Sequence, residues 1–168
     1  ALFPTAQTII VRDEQSLQIL SDDPAFANKN TLVVTSNSEE WAGVLKKASI
    51  TSSDLRIDNI SFIEERAVAG SHSLKHLVLG PDVETIEREA FNNCKNLETV
   101  HIGEWCSDIG YGAFGRCEKL REFSVEQDNT RYFAFDGSLY TKDMSLVRYT
   151  VGREDEIYDV PLGVLKME

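Results

Sequence analysis

A 23-residue period runs three times through the middle of this chain without a slip, and no other feature constrains the fold so tightly. Isoleucine recurs at Ile63, Ile86 and Ile109, alanine at Ala67, Ala90 and Ala113, and leucine at Leu74, Leu97 and Leu120. Five more columns keep the step: Ile60/Val83/Cys106, Val68/Phe91/Phe114, Ser71/Cys94/Cys117, Leu77/Val100/Phe123 and Leu79/Ile102/Val125. Of these 24 positions only Ser71 is neither apolar nor cysteine, where the 42% hydrophobic content of the chain would place about 10 by chance. A sustained period of this length marks stacked supersecondary units, each too small to bury its apolar face alone. One coil cannot offset the entropy of ordering its backbone, so neighbours must share core and hydrogen bonds. The reading is a solenoid, which offers extended surfaces.

Each coil divides into two parts. The extended pieces Leu55–Ile57, Leu77–Leu79, Val100–Ile102 and Phe123–Val125 alternate in and out with the period of a strand. They are expected to pair as a parallel sheet, one strand per coil. The return piece, such as Val83–Cys94, spaces Ile86, Ala90 and Phe91 for a short helical turn that buries one side.

Residues 1–53 read as an α/β cap, since an uncovered first coil would expose a layer of core. Thr8–Val11 and Leu32–Val34 have the β-branched, apolar character of buried strands. Asp13–Ser21 is expected to form a short helix. So is Ser38–Ala48, with Ser38 as N-cap, Glu39 and Glu40 in the first turn, Lys46 and Lys47 in the last, and Trp41, Val44 and Leu45 on one face. Residues 54–128 hold the three repeats. Residues 129–157 interrupt them as an insertion, with a turn at Asp136-Gly137 and a β-hairpin of Ser138–Thr141 and Leu146–Tyr149. Tyr158–Val164 then copies the pattern of Leu77–Val83, so residues 158–168 read as the start of a further repeat. That repeat stops at Glu168 unfinished, and the expectation is a truncated chain, a larger parent protein or a further tail.

The formal net charge of −11 argues against nucleic acid and against docking on an anionic membrane. No run of eighteen apolar residues occurs, so no membrane insertion is expected. No D-x-D-x-D-G loop favours calcium. Catalysis finds no support: there is no G-x-S-x-G elbow, no glycine-rich loop leading into a helix, and no cysteine in a recognisable active-site pattern. Cys94 and Cys117 share a column. Stacked strands lie about 5 Å apart, within reach of a disulfide, while buried free thiols would fill the same column as small hydrophobes.

The strand face pointing away from the core forms two polar columns: Arg56, Val78, His101 and Ser124 in one, His76, Thr99 and Glu122 in the next. These are the candidate ligand-binding residues. His76, His101 and Glu122 are a zinc-capable set by type. They come from three coils without the local spacing of a dedicated motif, so no metal and no cofactor is expected. The insertion aromatics Tyr132, Phe133, Phe135, Tyr140 and Tyr149 are either packing for the hairpin or a second contact patch for protein or sugar.

The segments at residues 73–97 and 96–120, with V-x-x-I-x-x-x-A-F-x-x-C-x-x-L running through Ile86, Ala90, Phe91, Cys94 and Leu97 and again through Ile109, Ala113, Phe114, Cys117 and Leu120, resemble the BspA-like (Treponema pallidum-type) leucine-rich repeat. The first coil departs from it at Val68 and Ser71. The resemblance covers about residues 55–168. It implies a right-handed leucine-rich-repeat solenoid with a parallel sheet on its concave side, α/β in class. It also implies a secreted or surface-attached, non-enzymatic protein that binds host or neighbouring-cell proteins. A carbohydrate-binding accessory module using the insertion tyrosines is the alternative, and a structural spacer displaying other domains is a third.

Overall fold

The structure, a computed structural model, describes residues 8–12, 16, 31–35, 44–45, 50–154, 157 and 159–167. Fourteen strands run along the described residues: β1 (Thr8–Val11), β2 (Thr31–Thr35), β3 (Val44–Leu45), β4 (Asp54–Asp58), β5 (Phe62–Ile63), β6 (His76–Leu79), β7 (Thr85–Ile86), β8 (Thr99–Ile102), β9 (Asp108–Ile109), β10 (Glu122–Val125), β11 (Tyr132–Phe135), β12 (Ser138–Thr141), β13 (Ser145–Arg148) and β14 (Lys166–Met167). A six-stranded parallel sheet takes one strand per coil in the order β1-β2-β4-β6-β8-β10. A second parallel sheet, β3-β5-β7-β9, collects the two-residue strands on the return side. The chain is thus a parallel-sheet solenoid.

The core lies between the two sheets and consists of the repeat columns. All eight columns are buried at every level except Ile109 and Val125, which are half-buried and pack against the rest. Rings fill the widest part. Phe91 and Phe114 stack with centroids 5.5 Å apart, and Phe123 meets Phe114 edge-on at 5.4 Å.

The first sheet crosses from residue 35 to residue 54 without a break, because β2 pairs with β4 over Thr31↔Asp54 and Leu32↔Leu55. The β1-to-β2 register, Thr8↔Thr31, has the same 23-residue step, so the strand half of the repeat already exists in the first 53 residues. Val11 and Val34 lie in the core beside Ile57.

Two local expectations are corrected. The helix over Ser38–Ala48 is not formed at Val44–Leu45, which is β3 and pairs in parallel with Phe62–Ile63. The rest of that segment lies outside the described residues. The edge of the second sheet offers Val44 and Leu45 a ladder, and that outweighs local helical spacing. Of the helix expected over Asp13–Ser21 only Ser16 lies within the described residues, and it is helical. The return pieces do not make a helical turn either. After each two-residue strand the backbone enters the left-handed region twice per coil, at Arg66/Glu89/Gly112 and at Gly70/Asn93/Arg116. A run of right-handed helix cannot contain such residues. The amides instead reach the next coil: Val68 N–H donates to Ala90 O and Phe91 N–H to Ala113 O, both at 2.8 Å. Hydrogen bonds therefore run along the stack on both sides.

The insertion is part of that stack. β11, β12 and β13 form an antiparallel meander, and β14 joins β13 in parallel. The expected strand Ser138–Thr141 forms, and its partner covers Ser145–Arg148. Asp136 and Gly137 both have positive φ, which a two-residue hairpin between β11 and β12 requires. Gly137 O then accepts from Phe123 N–H at 2.7 Å, which ties the turn to the edge of β10.

Close coil spacing explains one glycine. A Cβ on Gly103 would run into the carbonyl of Gly80 one coil below. Gly103→Ala is expected to cost about 1–3 kcal/mol, as overpacking does, because the obstacle is backbone. Thermal denaturation checks this, and an unchanged melting temperature would refute it.

Candidate interaction surfaces

The register of the six-stranded sheet sets the outer columns. Arg56 lies beside Val78, Val78 beside His101, and His101 beside Ser124; His76 lies beside Thr99, and Thr99 beside Glu122. Both columns expected from sequence are therefore assembled. Arg56, Glu122 and Ser124 are exposed, while His76, Val78, Thr99 and His101 are half-buried by their neighbours. Polar contacts order the face. His76 Nδ1 sits 2.9 Å from Thr99 Oγ1, and His101 Nδ1 3.0 Å from Ser124 Oγ. His101 Nε2 is 3.2 Å from Glu126 Oε1. Arg56 Nε donates to Asp58 Oδ2 at 2.6 Å, and Arg121 to Glu98 at 3.0 Å. The histidines hold hydroxyls and Glu126. No group of three metal-ligating side chains gathers among the described residues.

The insertion aromatics divide. Tyr132 and Tyr140 are buried, so they cannot act as exposed contacts. Tyr132 Oη accepts from Ile109 N–H at 3.0 Å, and burial pushes its phenol up to about 12. Phe133 is half-buried and stacks on Tyr140 at 5.5 Å. Only Phe135 and Tyr149 are exposed. The five residues do not form one patch.

Cys94, Cys106 and Cys117 are free and buried. The thiols of Cys94 and Cys117 donate to the Val68 and Phe91 carbonyls, at 3.3 and 3.4 Å. Burial pushes Cys94 up to about 11 and Cys106 and Cys117 up to about 12, so all three are protonated at neutral pH and are poor nucleophiles. The folded state holds these protons more tightly than the unfolded state, with its ordinary value of 9.0. Their contribution is complete below pH 9.0 and is lost as pH rises toward about 12. The urea midpoint is expected to be lower at pH 10.5 than at pH 8, and alanine at Cys106 should flatten that slope. A midpoint independent of pH over this range would refute the account.

Two aromatics escaped the sequence reading. Trp105 is 60% and Tyr111 86% exposed. Trp105 stands in the column of Asn59 and Asp82, and Tyr111 in that of Glu65 and Arg88. The signal was an aromatic in a column that is otherwise polar. Tyr111 rims a cavity on the return side that is also lined by Arg66, Glu89, Arg116 and Arg148.

No described helix is long and apolar enough to cross a membrane. A comparison with curated protein sequences gives no match. Among solved structures, the chain is similar to the pneumococcal vaccine antigen PcpA, with a TM-score of 0.57, 18% identity, and coverage of 96% of this chain and 45% of that one. It is also similar to a leucine-rich repeat protein from Eubacterium ventriosum, with a TM-score of 0.52, 14% identity, and coverage of 90% and 46%. The chain thus spans less than half the length of these two proteins, and the likeness is one of fold. The BspA type leucine rich repeat region matches in six copies over residues 43–146, which takes in the three repeats, part of the segment before them and most of the hairpin. The chain belongs to the BspA-type leucine-rich repeat family.

Proposed function

We propose that this chain is a non-enzymatic protein-interaction module of a secreted or cell-surface protein, and that a host or neighbouring-cell protein docks on the outer face of the six-stranded sheet. The observation that carries the reading is the registered pair of columns through Arg56, Val78, His101 and Ser124 and through His76, Thr99 and Glu122. Parallel pairing holds these side chains at fixed spacing on a rigid platform, so little ordering entropy is lost on docking. Rows of paired polar groups around a half-buried valine give specificity and orientation. Family membership supports an interaction role, and the leucine-rich-repeat fold is generally non-enzymatic.

Capture of extracellular proteins by the intact chain tests this. The triple variant Arg56→Glu, His101→Glu, Glu122→Lys is expected to lose the captured protein at least tenfold while keeping its circular dichroism spectrum. A second variant, Phe135→Ala with Tyr149→Ala, should retain it. Loss in the second and retention in the first would move the site to the insertion.

A further inference from the structure

We propose that the cavity on the return side of the solenoid is a binding site for an anionic sugar, one carrying a carboxylate or a sulfate. Three arginines line it, Arg66, Arg116 and Arg148, against one acidic residue, Glu89. That balance is the reverse of the chain as a whole, which carries −11. Glu89 is already shared: it lies 3.6 Å from Arg66 Nε and 3.4 Å from an amino group of Arg88, which stands outside the cavity. Among the described residues neither Arg116 nor Arg148 has a carboxylate partner. The Nε of Arg148 is buried and has no hydrogen-bond acceptor. A buried donor of a charged group without a partner is costly, and such a group in a folded protein calls for a missing acceptor. The guanidinium fork matches a carboxylate or sulfate with two parallel hydrogen bonds.

Arg116 shares left-handed backbone with Arg66 and Glu89, two other charged residues of the cavity. Its φ is 55°, and the equivalent positions in the two preceding coils hold Gly70 and Asn93, the residues suited to that backbone.

Tyr111 indicates a sugar rather than a bare ion. Its ring is 86% exposed at the rim of the cavity, between Gly110 and Gly112, so no neighbouring side chain from the sequence covers either side. An open ring beside cations offers a flat apolar platform for the C–H face of a pyranose, while the guanidiniums take its acidic substituent. The site lies on the return side of the coils, away from the sheet face assigned to protein docking, and does not depend on that assignment.

Calorimetric titration of the full chain with five probes tests the proposal: 3′-sialyllactose, a sulfated heparin disaccharide, neutral lactose, sodium sulfate and a hexaglutamate peptide. Binding of either acidic saccharide, with lactose silent and sulfate at least tenfold weaker, is the expected result; which of the two binds tells carboxylate from sulfate. Arg116→Asn, which copies the residue found one coil earlier and so preserves the backbone, should weaken the saccharide at least tenfold. Tyr111→Ala, at an exposed position, should weaken it at least threefold. Sulfate binding as tightly as the saccharides would leave an ion site only and overturn the sugar assignment. No binding by any probe, or full binding by Arg116→Asn, would overturn the site. Preference for an acidic peptide over both saccharides would overturn it in favour of a protein ligand.

Discussion

Phe91→Ala is expected to destabilise the chain by about 3–5 kcal/mol, the range for removing a fully buried phenylalanine. Phe91 is 0% exposed and sits at the centre of the stack, with the Phe114 ring lying 6° from parallel above it. Its removal leaves a cavity between the two sheets. The walls are backbone ladders bonded from coil to coil, so they cannot collapse into it. Val68→Ala, in the same column one coil earlier, removes two methyl groups instead of a ring and should cost less. Tyr111→Ala, at the surface, should stay within about 0.5 kcal/mol. Urea denaturation of the three variants checks the order. Equal losses for Phe91 and Tyr111 would contradict the assigned core.

The second large effect is expected at Asn129. This residue occupies the column of Ile60, Val83 and Cys106, and like them it is buried. Its amide group donates to Gly103 O at 2.8 Å and to Cys106 O at 2.9 Å. Its Oδ1 accepts from Arg131 N–H at 2.9 Å and Tyr132 N–H at 2.7 Å. One side chain thus satisfies four backbone groups where the regular coil gives way to the meander. Asn129→Leu restores the apolar character of the column yet leaves those four groups unpaired, three of them in the interior. At about 1–3 kcal/mol for each unsatisfied group, and with partial relaxation, a loss of about 3–4 kcal/mol is expected. The melting temperature reads it directly. An Asn129→Leu variant as stable as the parent would show that the amide is not what joins insertion to stack.

The same residue shows where sequence reading runs out. The coils between Leu55 and Val125 were legible because an apolar residue recurs wherever the core lies. At Asn129 the period continues in space, one step beyond Cys106, but a polar residue fills it. Tyr132 is a similar case, one step beyond Ile109 and bonded to its amide through Oη. Polar side chains that replace backbone partners carry no hydrophobic signature, so the insertion looked separate from a stack that it extends. The opposite error occurred at Val44–Leu45. Capping residues and a Trp41/Val44/Leu45 face gave a complete local case for a helix, but the partner that decides the conformation, Phe62–Ile63, lies 18 residues on, off the 23-residue step. The return turns were misread for a related reason. Spacing of Ile86, Ala90 and Phe91 fits a helix, while the left-handed backbone at Glu89 leaves no mark in residue type.

For the surfaces, register was the legible part. Knowing the strands was enough to align Arg56, Val78, His101 and Ser124, and to separate them from His76, Thr99 and Glu122. Exposure was not legible for the insertion, because Tyr132 and Tyr140 turn inward for packing that only the folded meander provides. The cavity with Tyr111 and Arg116 stayed hidden because it joins the third coil to β13 of the insertion, a contact between segments with no shared pattern.

Hydroxyl-radical footprinting of the chain with and without its captured protein partner tests the docking surface most directly. Protection of His76, Val78 and His101, with Phe135, Tyr149 and Tyr111 reacting as in the free chain, is the predicted result. Unchanged reactivity of the two histidines, with protection confined to the insertion or the return turns, would contradict it.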